Sequence, residues 1–217
     1  LNILSLKGVP YERIFVVGSL CGSYTNLINI LYEQEFNHKD LLILTGNFIS
    51  KESDQILDIV HFLKNNDNCY SVLGKCESDF LISYQSKELP EMFYEIFDST
   101  LINFLSNLPL IIELDYQYFV VNAGLEPYKE LVDQDERVFY SITNYDQESR
   151  YYQFFNPEKK SWYDFEFPQR KIIFSNPSIE ETVVTAGYNL NTETLLGSLI
   201  ITDEQEPIII QLKTEMV

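Results

Sequence analysis

Ile14-Phe15-Val16-Val17-Gly18-Ser19-Leu20-Cys21-Gly22 is an apolar run closed by a glycine-bounded turn. The pattern returns twice, in Leu41-Leu42-Ile43-Leu44-Thr45-Gly46 and in Tyr70-Ser71-Val72-Leu73-Gly74. β-Branched and aromatic residues favour strand, and runs without polar alternation suit strands covered on both faces. Between the runs, Leu27, Ile30 and Leu31, then Ile56, Leu57, Val60 and Leu63, recur at helical spacing. Ser53 stands where the second helix needs an N-cap. Gly18, Gly46 and Gly74 are 28 residues apart, so each strand–helix unit has the same length. A solenoid repeat would also give an even period, but this one stops after three passes. The units read instead as consecutive crossovers that bring three loops to the carboxyl edge of one sheet, where open α/β sheets place their ligand sites.

Farther along, Phe93, Ile96, Phe97, Leu101, Phe104, Leu105 and Leu108 predict one long amphipathic helix over 91–108, ended by Pro109. Strands follow at 111–114 and 118–121, turning near Asp115, and then Asn122-Ala123-Gly124-Leu125. Short β-type runs recur at 171–174, 182–185, 195–202 and 207–212 without helical patterns between them. Three crossovers, a helical stretch and a run of strands predict an α/β fold: two mixed β-sheets packed as a sandwich and flanked by helices. Residues 1–217 read as a single domain, with an unusual aromatic and acidic segment at about 138–168.

Composition bounds the function. Apolar residues make up 45% of the chain, enough for a packed core and too many for a disordered one. Fifteen Lys and Arg against 33 Asp and Glu give a net charge of −18. That balance disfavours a broad surface for nucleic-acid phosphates, which needs clustered cations, and leaves a local contact open. Protein partners are the favoured class. The three cysteines, Cys21, Cys69 and Cys76, form no CxxC pair, which suits a reducing compartment. No run approaches the roughly 20 apolar residues of a membrane span, and residues 1–7 lack a secretory signal pattern. The expectation is a soluble, intracellular and cytoplasmic protein; a first residue of Leu leaves room for a preceding segment.

Five of the eight glycines (Gly18, Gly22, Gly46, Gly74 and Gly124) come just after apolar runs, where positive φ and close backbone approach serve a strand-end loop. With these loops the chain resembles the calcineurin-like metallophosphoesterases, in particular the branch of serine/threonine phosphatases and diadenosine tetraphosphatases. That family reads Gly-Asp-x-His-Gly, Gly-Asp-x-x-Asp-Arg-Gly, Gly-Asn-His-Glu, His-Ala-Gly and a late Gly-His. The order and spacing match here through residues 10–127 and loosely through 170–212. The side chains do not. The resemblance places Ser19 and Cys21 at the first Asp and His ligands, and Asn47 at the metal-bridging Asp. Ser50-Lys51-Glu52 replaces Asp-Arg-Gly, Lys75 and Cys76 replace the Asn ligand and catalytic His, and Asn122 replaces the next His. The late Gly-His falls within Ala186-Gly187-Tyr188, and the chain's two histidines, His38 and His61, lie away from all these loops.

The family's reaction uses two cations about 3.5–4 Å apart that activate water and clamp the phosphate. Without the bridging carboxylate and imidazoles, and with the Lys75 ammonium where a dication would stand, the resemblance implies no metal, no cofactor and no catalytic residue. Cys21 and Cys76 could form a zinc or redox pair, yet zinc wants four ligands. Lys75 could bind a phosphate or carboxylate in place of the lost metals, or pair with Glu77 or another acid. Asn47 and Asn122 could orient a ligand or satisfy neighbouring backbone. Trp162, Tyr163, Tyr151, Tyr152 and Phe155 are candidate interface anchors, or cover for one sheet face. The expected function is an inactive phosphatase-like interaction or structural subunit, alone or in a larger assembly; the alternatives are a residual metal-dependent phosphoesterase and a phosphate- or nucleotide-binding module without turnover.

Overall fold

The computed structural model describes residues 1–50, 53–115, 118–140, 144–146, 151–153, 160–167, 170–176, 179, 181–191, 195–202 and 205–213. In chain order the strands and helices are β1 (Ile3–Ser5), β2 (Ile14–Val17), α1 (Tyr24–Glu33), β3 (Leu41–Leu44), α2 (Ile56–Asn65), β4 (Cys69–Ser71) and α3 (Lys75–Gln85). Then come α4 (Glu91–Ile96), α5 (Ser99–Ser106), β5 (Ile111–Glu113), β6 (Tyr118–Val120), β7 (Asn144–Asp146) and β8 (Tyr151–Gln153). The chain closes with β9 (Lys171–Phe174), β10 (Val183–Val184), β11 (Gly187–Asn189), β12 (Leu195–Thr202) and β13 (Gln205–Lys213).

Two mixed sheets result. One has the order β13-β12-β2-β3-β4, the other β1-β5-β6-β9-β11-β10, and β7 pairs with β8 as a separate hairpin. The three crossovers make β2, β3 and β4 parallel, with Val17 opposite Leu44 and Leu44 opposite Ser71. β12 closes on β2 antiparallel.

Why the strands lack polar alternation is now visible. Successive side chains of a strand face opposite ways, and here both ways are core. Val16, Ile43, Ile112, Val120 and Ile173 meet between the sheets. Their neighbours Phe15, Val17, Leu42 and Leu44 turn outward under α1 to α5, against Leu27, Ile59, Phe80 and Leu105. On the other sheet, Ile111, Phe119, Ile172 and Phe174 turn outward beneath Val138, Phe139, Trp162 and Phe165. The aromatic segment thus supplies cover for that sheet, through short 3-10 turns at Glu136–Phe139 and Trp162–Asp164.

This burial corrects the interface expectation. Trp162 is wholly buried, its ring 4.8 Å from that of Phe174 and edge-on to it. Tyr163 is half-buried beside it. Trp162 is therefore not an exposed anchor. Tyr151 and Tyr152 contribute backbone to β8 but their side chains, like Phe155, lie outside the described residues.

Two local expectations also change. The 91–108 helix is broken into α4 and α5 because Asp98 accepts hydrogen bonds from Thr100 N and Leu101 N, each 2.9 Å, and starts a new helix. Ser53 is not the cap of α2; that position is Gln55. Instead Ser53 Oγ donates to Gly22 O at 2.6 Å, tying the first loop to the second.

At the opposite edge, Arg13 holds the starts of β2 and β3 together. Its Nε and terminal nitrogen donate to the two oxygens of wholly buried Asp40, at 2.9 and 2.7 Å, and another nitrogen donates to Gln34 O. No helix among the described residues is long and apolar enough to cross a membrane.

Candidate functional site

The carboxyl ends of β2, β3, β4 and β6 converge, and they bring Ser19, Cys21, Asn47, Lys75, Cys76 and Asn122 to one edge. Close approach of the loops needs glycine. Gly46 (φ 81°) packs so tightly on the third loop that a Cβ there would stand 2.7 Å from Gly74 Cα. Cys21 (φ 49°) and Asn47 (φ 54°) also adopt the left-handed conformation, which asparagine tolerates better than most residues.

These side chains face backbone. Asn47 Oδ1 accepts from Cys76 N at 3.0 Å while its own carbonyl accepts from Cys21 N at 3.0 Å. Asn122 Oδ1 accepts from Lys75 N at 3.2 Å, and Asn122 Nδ2 donates to Thr45 O at 2.8 Å. The two asparagines therefore take the N–H groups at the start of α3, the place where a helix would otherwise offer donors to an anion. Ser50 lies in the second loop, its carbonyl accepting from Ser53 N, and Lys51 lies outside the described residues.

Glu77 is the residue on which the loops close, whereas the sequence reading offered it only as an ion-pair partner for Lys75, a place that Asp79 takes. Its wholly buried carboxyl accepts from Asn47 N (2.7 Å), Ile49 N (2.8 Å) and Gly74 N (3.0 Å). Burial pushes its pKa up, opposed by these backbone donors. A glutamate three residues after Gly74, at the third position of a helix, is a capping signal that could have identified it.

The late segment needs a correction. Gly187, inside β11, sits flush against Ile172, where a Cβ would come within 2.6 Å of Ile172 N. The cleft is reached instead by Ser175, at the end of β9, and Asn191, after β11. Ser175 Oγ shares a 2.7 Å hydrogen bond with Thr45 Oγ1, and Asn191 Oδ1 accepts from Ser19 N at 2.8 Å. Ser19 Oγ is buried without a hydrogen-bond partner.

The charges present do not suit cations. Lys75 Nζ pairs with Asp79 at 2.8 Å, both side chains more than half exposed. Burial, and after it the neighbouring Glu77 carboxyl, pushes the Cys76 thiol up to about 11 and raises Cys21 as well. Both side chains reach solvent, yet neither is the thiolate that ligation or nucleophilic attack requires. Iodoacetamide near neutral pH should accordingly alkylate Cys76 on the order of tenfold more slowly than an unperturbed thiol: two pKa units lower the thiolate fraction about 100-fold, and the greater basicity restores about a factor of ten. The rate should climb as pH rises toward 11. Rapid labelling at neutral pH would contradict this environment. His38 and His61 are exposed, before β3 and on α2, and no cluster of three His, Cys, Asp or Glu suited to a metal exists among the described residues.

No protein-family model matches the sequence, and no curated relative matches it. Solved structures do. A candidate diadenosine tetraphosphatase superposes with a TM-score of 0.81 at 20% identity, covering 97% of each chain. A protein serine/threonine phosphatase of Saccharomyces cerevisiae gives 0.60 at 16% identity, covering 100% of this chain and 84% of that one. A metallophosphoesterase from Sphaerobacter thermophilus gives 0.57 at 11% identity, covering 93% and 88%.

Proposed function

We propose that this chain, whose fold is that of the calcineurin-like metallophosphoesterases, is a catalytically inactive phosphatase-like protein that works as an interaction or structural subunit. One observation carries the reading. At the positions where the fold family holds metals, Asn47 and Asn122 instead bind the backbone of neighbouring loops. The donor set does not fit the metal pair. A neutral serine hydroxyl, two protonated thiols, two asparagines and a lysine supply no bridging negative charge, which two adjacent dications require.

The same contacts weigh against phosphate binding without turnover. The backbone N–H groups of Gly74, Lys75 and Cys76 are taken by Glu77, Asn122 and Asn47, and the Lys75 ammonium by Asp79. An incoming phosphate would have to displace them. What is left for function is the surface, and a net charge of −18 favours a basic protein partner there.

Turnover is the test. Purified protein given Mn²⁺, Zn²⁺ or Fe²⁺ should hydrolyse neither a generic phosphomonoester nor a dinucleoside polyphosphate. Metal-dependent hydrolysis that disappears in Asn47→Ala and Cys76→Ala would overturn the reading.

A further inference from the structure

At the edge of the sandwich opposite the former metal loops, the two sheets part and leave a cavity of about 590 Å³. It lies where β2 begins, β5 ends, β6 begins and β12 ends. Its walls are Ile14, Leu114 and Ile201 with the rings of Tyr11 and Tyr118, continuous with the core between the sheets. Both rings pack against the core between the sheets, and Tyr118 lies 6.5 Å from the ring of Tyr188. Small-molecule sites are commonly of this size, and here apolar and polar surface line the cavity in about equal shares.

The placed polar group is Asp115. Its Oδ2 accepts from Gly8 N at 2.8 Å, which fixes the carboxylate at the cavity wall, and among the described residues none donates to Oδ1. The other acid lining the cavity, Glu12, is already paired with Lys39 at 2.6 Å. Among the described residues that line the cavity, none is Lys or Arg. A cation entering here meets a carboxylate, which attracts it, beside two tyrosine rings. An anion of the same shape meets repulsion.

The geometry points to a binding site for a small organic cation, an aryl or alkyl amine whose apolar body lies on Ile14, Ile201 and the two tyrosine rings while its ammonium reaches Asp115. This site owes nothing to the phosphatase loops.

Two probes of matched shape and opposite charge test it: phenethylamine and phenylpropionate, titrated into the full chain with the methyl NMR signals of Ile14 and Ile201 as readout. Phenethylamine should shift those signals at concentrations up to about 10 mM, phenylpropionate should not, and Asp115→Asn should weaken the amine by about tenfold. That substitution keeps an acceptor for Gly8 N, and its melting temperature reports whether the fold is kept. Absence of shifts with the amine, equal shifts with both probes, or unchanged amine affinity in folded Asp115→Asn would each overturn the site. The two-probe comparison on the unaltered chain decides the matter even where the variant fails to fold.

Discussion

Glu77→Ala is expected to lower unfolding free energy by about 4 kcal/mol, since three N–H groups lose their acceptor and stranding each costs roughly 1–3 kcal/mol when buried. The three donors belong to two different loops: Asn47 and Ile49 after β3, and Gly74 before α3. Alanine also leaves a void where a fully buried side chain was. Glu77→Gln should cost less, because one oxygen still accepts while the amide nitrogen faces donors. Urea denaturation of the three proteins reads the order directly. Wild-type stability in Glu77→Ala would mean that the loops are held by something other than this carboxyl.

Arg13→Ala should be of similar size, about 3–5 kcal/mol, for a different reason: it leaves a buried carboxylate without its cation. Asp40 has no exposed surface and receives both arms of the guanidinium. Among the described residues, only the backbone N and Nδ2 of Asn37 would remain as its donors. Because much of the loss is the stranded charge, Arg13→Ala combined with Asp40→Ala should cost well under the sum of the single changes. Strict additivity in urea melts would show that the two side chains act independently.

The crossovers were legible because apolar runs ending in evenly spaced glycines encode strand length, turn and repeat at once. Burial of both strand faces was likewise written in Phe15-Val16-Val17 and Leu42-Ile43-Leu44, which feed opposite cores. β1 was not legible. Ile3–Ser5 is too short to show a period, and it becomes a strand by pairing with Ile111, Ile112 and Glu113. The break between α4 and α5 was signalled by Asp98-Ser99-Thr100, a capping sequence that the surrounding apolar spacing outweighed. In the aromatic segment composition could not give direction: Trp162 and Phe165 are buried while Asp164 and Glu166 are exposed, so rings and acids that look mixed in sequence are sorted by side.

The site shows the same division. From residue types alone, Ser19, Cys21, Asn47, Lys75, Cys76 and Asn122 already differ from the metal-ligand pattern of the family that the sequence resembles. What those residues do instead is not visible there, because the bonds of Asn47 to Cys76 N and of Asn122 to Lys75 N and Thr45 O join segments 29 to 77 residues apart. Ser175 escaped notice for a related reason. The glycine at 187 drew the reading of the late motif to a strand interior, whereas Ser175 simply follows a well-marked strand.

Divalent-cation binding tests the central claim most directly. Calorimetric titration of the purified chain with Mn²⁺ should show only weak, salt-sensitive association with an acidic surface, with no site tighter than about 1 mM. Two Mn²⁺ ions held per chain at micromolar affinity, and released by Asn47→Ala, would contradict it.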